Sequence, residues 1–285
     1  MRTVVVNPSK TSSLRAQFIS LYEAFKGASP KESLLFDLNK LQWACPILIL
    51  PISVYMQTTG SSFSLDEAHK LDSYLKAIDF PKGIDDVGTF FSMEAYYKTR
   101  TYVPISVLRR TSDKRDKLET LFVEMIYKIL APTEGARDAI YYPILELVTN
   151  IFEHSKNDEG YVFGQFYPKK QYVDICIVDP GRGLSKSYLE ELGLQINDKE
   201  AITQAMEGKS TKPDKDRGYG VRTSKRVVCE ALKGGFVYIS GNAVLLIEDG
   251  KTFLSELPDF NWQGTIIAFR IPKPTGSVDI YPYLE

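Results

Sequence analysis

Glu146-Leu147-Val148-Thr149-Asn150-Ile151-Phe152-Glu153-His154 is the stretch that decides how the chain reads. Glu146, Asn150 and His154 recur at i, i+4 and i+8, so on a helix they share one face. Leu145, Leu147, Val148, Ile151 and Phe152 make the surroundings of that face apolar. A polar group left unpaired in such a setting costs about 2 kcal/mol or more, so the stripe needs a partner. A satisfied hydrogen-bond network or a solvent-facing stripe is the plain reading. A ligand site is the other.

Working outward, this helix is expected over 134–155. A helix over 113–130 precedes it, with Leu118, Leu121, Phe122, Met125, Ile126 and Ile129 at helical spacing, and Ala131-Pro132-Thr133 breaks the two apart. Two apolar runs follow, Tyr161–Tyr167 and Tyr172–Val178, which read as a hairpin joined by Pro168-Lys169-Lys170-Gln171. Helices are expected near 185–193, 198–207 and 219–232, and strands over 235–240, 243–248 and 264–271. On the N-terminal side the pattern predicts a strand over 2–6, a helix from Ser13 to Gly27, a strand over Ser33–Leu38 and a buried helix over 46–57. An amphipathic helix over Asp66–Ile78, with Asp66 as N-cap, completes that unit. Residues 86–112 show no clear period. The expected organisation is a small α/β domain over 1–85, a linker over 86–112, and a second α/β domain over 113–285. The charged run Arg109–Arg115 reads as a solvated helix start.

Composition sets the outer bounds. The chain has 285 residues, 44% hydrophobic and 25% charged, with 35 Lys+Arg against 36 Asp+Glu. That balance argues against a protein built to coat nucleic acid. Cys45, Cys176 and Cys229 are odd in number and far apart, which fits a reducing compartment better than a disulfide scaffold. With His69 and His154 the only histidines, a three-histidine zinc site is excluded. The start, Met1 to Pro8, is too soon broken for a secretory signal, and the most apolar window, Leu41–Met56, carries Pro46 and Pro51 and is short for a membrane span. A cytoplasmic protein is expected.

Three more segments bear on chemistry. Asp179-Pro180-Gly181-Arg182-Gly183 follows an apolar strand; it reads as a tight turn, or as a carboxylate acceptor with bare backbone for a ligand to approach. Arg217-Gly218-Tyr219-Gly220-Val221 precedes a helix, where freed N–H groups can meet phosphate oxygens. Gly264-Thr265 opens the last strand. Two look-alikes fail. Gly208-Lys209-Ser210-Thr211 ends like a P-loop, but Thr203 stands where its first glycine belongs, and neither glycine pair has the third glycine of a dinucleotide fingerprint.

Taken together, the four segments resemble the nucleotide-binding signature of the GHKL superfamily, which includes gyrase B, MutL, histidine kinases and anti-sigma-factor serine kinases. Glu146–Asn150 is similar to the N box, Asp179–Gly183 to the G1 box, Gly218–Val221 to the G2 box, and Gly264-Thr265 to the closing strand. The resemblance covers residues 115–272 and implies a Bergerat-type α/β sandwich with a mostly antiparallel sheet that binds ATP with Mg2+. By that resemblance Asp179 accepts from the adenine amino group, supported by Thr265. Gly181, Gly183, Gly218, Gly220 and the adjoining Arg217, Tyr219 and Val221 meet ribose and phosphates. Asn150 offers its amide oxygen to Mg2+, Glu146 is the general base, and His154 flanks the adenosine. Lys209, Lys212, Lys215 and Arg217 lie on the expected lid. Ser33–Leu38, Cys45–Leu48 and Ser73–Phe80 resemble a degenerate STAS-like domain, without the serine of a phosphorylatable one. The implied function is a signalling ATPase or Ser/Thr protein kinase acting on or through a protein partner, with homodimerisation open. The alternative is a catalytically weak module whose ATP-driven closure switches partner binding. A histidine autokinase is disfavoured, since helix 113–130 holds no histidine.

Overall fold

The computed structural model describes residues 1–97, 100–110, 115–209 and 220–284; the side chains of 93–97 and His154 are outside that description. Two sheets organise the chain. The first is parallel, in the order β1 (Arg2–Val5), β2 (Leu34–Asp37), β3 (Ser62–Ser64). Helices α1 (Leu14–Phe25) and α2 (Pro46–Thr59) make its two crossovers. Successive right-handed crossovers in one direction put both helices on one face of that sheet. Ser13 caps α1 by accepting from the Ala16 N–H at 3.1 Å.

The second sheet has seven antiparallel strands in the order β4 (Tyr102–Arg109), β5 (Glu159–Tyr167), β6 (Tyr172–Asp179), β10 (Trp262–Pro272), β7 (Gly235–Gly241), β8 (Ala243–Glu248), β9 (Lys251–Glu256). Helices α1 and α2 fill the space between the sheets. Phe25 stacks edgewise on Trp262 of β10 and tilts against Phe36 of β2, each at 5.6 Å between centroids. Residues 46–56 of α2 are buried on all sides, as expected of a helix apolar all round. The opposite face of the large sheet carries α5 (Arg115–Leu130) and α6 (Arg137–His154), then α7 (Leu184–Leu192), α8 (Asp198–Met206) and α9 (Gly220–Arg226). Neighbouring residues of β5 show the two faces. A Cβ on Gly164 would press on Ile126 of α5, while Gln165 accepts a hydrogen bond from Tyr74 on the other side. One continuous apolar core runs through both sheets.

Several expectations change. Residues 86–112 are no linker: they hold α4 (Val87–Tyr97) and β4, the edge strand of the large sheet. Pro104 hid this strand, because a proline removes a ladder donor. It sits where the β4–β5 register shifts, between Val103 and Ser106, and the strand is buried from Tyr102 to Leu108. Ile84 then covers the outer edge, accepting from the Val107 N–H at 2.8 Å. The helix expected over 66–78 shrinks to α3 (Asp72–Ala77). Asp66 is not its N-cap, since the chain turns at 66–71, with His69 Nδ1 accepting from the Leu71 N–H at 3.1 Å. Strands β3 and β9 appear where no strand is expected. Helix 219–232 begins as α9 and ends as a π-helical turn over Val227–Ala231.

A buried ion pair within the large sheet also reaches the N-terminal unit. Arg270 of β10 donates through Nε and Nη2 to the Asp174 carboxylate of β6, both at 2.7 Å, and through Nη2 to the Ser12 carbonyl at 2.8 Å. Glu248 accepts from the Leu14 and Arg15 N–H groups at the start of α1. Among the described residues no helix is long and apolar enough to cross a membrane.

Candidate functional site

Asp179 ends β6, directly opposite Thr265 on β10. The Thr265 hydroxyl donates to Asp179 Oδ2, and the Gly181 N–H donates to Oδ1 at 2.9 Å. Each carboxylate oxygen keeps a second lone pair, so the group can still accept from a ligand. Asp179 is 2% exposed. Burial pushes its carboxyl up to about 6, against the opposing pull of the Thr265 and Gly181 hydrogen bonds.

The backbone around this carboxylate leaves no room for side chains. A Cβ on Gly264, whose φ is +103°, would come 2.1 Å from the Asp179 carbonyl oxygen and 2.7 Å from the Gly181 nitrogen. One on Gly181 would come 2.4 Å from the Ser155 carbonyl oxygen. Ser155 closes α6, and its carbonyl accepts from the Arg182 N–H at 3.0 Å. The Asp179–Gly183 turn is thereby pinned to the end of the helix that carries Glu146 and Asn150. Gly183, at φ +75°, precedes α7 and has no side chain to cap it. Ser240 of β7 does so instead: its Oγ accepts from the Leu184 N–H at 2.9 Å and donates to the Gly264 carbonyl at 3.2 Å.

The second half of the site is the α6–α9 contact. A Cβ on Gly220 would lie 2.6 Å from Glu146 Oε2 and 3.0 Å from Asn150 Nδ2. The first residue of α9 therefore rests on the polar stripe of α6. Asn150 is buried, and its Nδ2 has no hydrogen-bond partner among the described residues. One turn earlier Tyr142 is half-buried, and burial, then the nearby Glu146 carboxylate, pushes its phenol above its ordinary range. The two halves share α6: Asn150 and Ser155 are five residues apart, about 7.5 Å along the helix axis.

Of the residues singled out in the sequence, Glu146, Asn150 and Gly220 form one group, and Asp179, Gly181, Gly183 and Thr265 form the other. Val221 packs against the core. The side chain of His154, and Arg217, Gly218, Tyr219, Lys212 and Lys215, lie outside the described residues. Lys209 pairs with Glu207 at 3.1 Å, and its carbonyl accepts from the Tyr188 hydroxyl. The sequence does not single out Ser155, Ser240, Tyr142 or Trp262, whose indole N–H donates to the Asp179 carbonyl at 3.4 Å. Tyr142 extends the i, i+4 stripe back by one turn, a signal that was open to reading. Ser240 was signalled only indirectly, by a glycine standing where a capping side chain belongs.

Among the described residues no group of three or more His, Cys, Asp or Glu side chains is placed to hold a metal ion. The chain matches no protein-family model, no curated protein and no solved structure.

Proposed function

We propose that the protein binds Mg-ATP in a GHKL-like site and uses it for hydrolysis or for phosphoryl transfer to a protein partner. The observation that carries this reading is the convergence of four sequence segments on α6. Glu146 and Asn150 meet Gly220 at one end of the stripe, and Ser155 meets the Asp179–Gly183 turn, backed by Gly264-Thr265, at the other. The resemblance stated from the sequence implies the same grouping, although these segments are far apart in the chain.

Each group has a chemical role under this reading. Asp179 accepts from an exocyclic amine, which an ionised carboxylate does and a protonated one, with its hydrogen facing outward, does not. The missing side chains at Gly181 and Gly264 let the backbone close up around it. Asn150 fits a magnesium ion: its amide is buried, and the nitrogen has no described partner, so the equivalent orientation with the oxygen turned to the same place is open to it. Mg2+ prefers oxygen ligands and keeps phosphate oxygens and waters, so one protein amide is a sufficient contribution. The ion would supply charge neutralisation on the phosphates. Glu146, beside Asn150, would take the proton of an attacking water or hydroxyl.

The N-terminal α/β unit, STAS-like in its strand–helix rhythm, is proposed as the side that faces a protein partner. The test is a pair of variants. Mg-ATP binding and phosphate release are measured for wild type, Asp179→Asn and Glu146→Gln. Asp179→Asn is expected to lose binding, and Glu146→Gln to keep binding while losing release. Binding without release in wild type would favour the module that ATP merely closes. No binding by wild type at millimolar Mg-ATP would refute the proposal.

A further inference from the structure

We infer that Ser240 is a positioning residue, whose hydroxyl holds Gly264-Thr265 and the start of α7 in the arrangement that aims the Asp179 carboxylate at a ligand's exocyclic amine. This rests on the reading of Asp179 given above. Ser240 stands on β7 directly opposite Thr265, and Asp179 stands opposite the same Thr265 on β6. Directly opposed residues of an antiparallel pair share a face, so Asp179, Thr265 and Ser240 form a polar row across three neighbouring strands. Ser240 is fully buried. A buried hydroxyl needs partners, and this one has two. It accepts from the Leu184 N–H at 2.9 Å and donates to the Gly264 carbonyl at 3.2 Å.

Both partners lie where regular structure is interrupted. Trp262 pairs with Gly241, but Thr265 pairs with the adjacent Ser240, which leaves Gln263 and Gly264 outside the regular β10–β7 pairing. Such a bulge bends its strand and re-aims a neighbouring side chain. Here that side chain is Thr265, whose hydroxyl donates to Asp179. Ser240 fixes the bulge by its Gly264 carbonyl. Leu184 opens α7, where an N–H has no partner inside the helix, and Gly183 before it brings no capping side chain. A Cβ on Gly183 would come 3.1 Å from Ser240 Oγ and 3.3 Å from the Gly264 carbonyl oxygen, so turn, bulge and hydroxyl lie against one another. The Asp179–Gly183 turn is thereby held on both sides of Gly183, by Ser155 at the Arg182 N–H and by Ser240 at the Leu184 N–H. The Gly181 N–H, the other donor to Asp179, belongs to that turn. One hydroxyl thus supports both donors that orient the carboxylate.

The test uses the full chain and two ligands with Mg2+: ATP, and purine riboside triphosphate, which has a hydrogen in place of the adenine amine. Affinities for both and the urea midpoint are measured for wild type, Ser240→Ala, Ser240→Cys and Asp179→Asn. Wild type is expected to prefer ATP by at least about 30-fold, as a buried, charge-assisted hydrogen bond does. Ser240→Ala removes both hydrogen bonds and is expected to cut that preference by about 5- to 10-fold, with affinity for the analogue within about twofold of wild type. Ser240→Cys fills the space but hydrogen-bonds weakly, so it is expected to follow alanine. A preference restored in Ser240→Cys would mean that volume rather than hydrogen bonding matters, and would overturn the inference. Equal losses for the two ligands, or an intact preference with a lower urea midpoint, would assign Ser240 to stability alone and overturn it too. Should Ser240→Ala fail to fold, Ser240→Cys decides by its preference for ATP. Loss of ATP binding in Asp179→Asn with a wild-type preference in Ser240→Ala sinks the inference alone. A wild type that does not prefer ATP, or an Asp179→Asn variant that binds ATP normally, sinks the role of Asp179 and the inference with it.

Discussion

Replacing Asp179 by Asn is expected to stabilise the ligand-free protein above pH 6 while removing its nucleotide binding. Burial lifts this carboxyl from the ordinary 3.8 to about 6. Between those values the folded chain still holds a proton that the unfolded chain has released. The contribution of this group to stability is therefore full below 3.8 and is lost as pH rises through about 6. At about 1.36 kcal/mol per tenfold change in proton affinity, the difference amounts to about 3 kcal/mol at neutral pH. Asn has nearly the same shape. Its Oδ1 can accept from the Gly181 N–H, and its amide can donate to the Thr265 hydroxyl, so the hydrogen bonds survive with the charge removed. The measurement is urea unfolding of both proteins from about pH 4.5 to about pH 7.5. The Asn variant should gain on wild type by about 2 kcal/mol across that range, because part of the gap is already open at the acid end. Subtracting wild type from variant cancels every other titrating group. A gap that stays flat with pH, or a variant less stable than wild type at every pH, would refute the account of Asp179. Mg-ATP affinity of the variant is expected to fall by at least about 100-fold, below what the binding assay reads, through the loss of a buried, charge-assisted hydrogen bond.

Three further substitutions probe the frame around the site. Arg270→Met leaves the buried Asp174 carboxylate without its two 2.7 Å contacts, and should cost about 3–5 kcal/mol in urea unfolding, most of it recovered when Asp174 is also replaced by Leu; a cost below about 1 kcal/mol would show that Asp174 is not left as an uncompensated buried charge. Gly264→Ala places a Cβ 2.1 Å from the Asp179 carbonyl at φ +103°, so a loss of about 3 kcal/mol or more is expected, with nucleotide binding gone. Gly220→Ala meets the flexible end of Glu146, at 2.6 Å, and the buried Asn150 amide, at 3.0 Å. It should fold with a urea midpoint near wild type, since the better helix propensity of alanine, at most about 1 kcal/mol, offsets these contacts. Its phosphate release should nevertheless fall, and unchanged release would separate Gly220 from the chemistry.

The failures of sequence reading have physical causes. Tyr102–Arg109 has the look of a linker because Pro104 breaks a strand pattern locally, and only the register shift opposite β5 makes room for it. Lys251–Glu256 carries no apolar alternation, being a half-exposed edge strand that β8 recruits across a tight turn. Asp66 looked like a helix cap. Its N–H instead donates to the Asn39 side chain at 2.8 Å, a partner the local sequence does not reveal.

What the sequence determined by itself is what local periodicity can carry. The polar stripe on α6, the apolar run of β6 ending in Asp179, and the glycines that must follow it are all set within a few residues of chain. Tertiary structure alone decided which of these meet. Thr265 reaches Asp179 across 86 positions, and Gly220 rests on Glu146, because strands β6 and β10 pair and α9 packs on α6. It also pushed the carboxyl of Asp179 up to about 6, for burial is a property of the assembled layers and of no single segment.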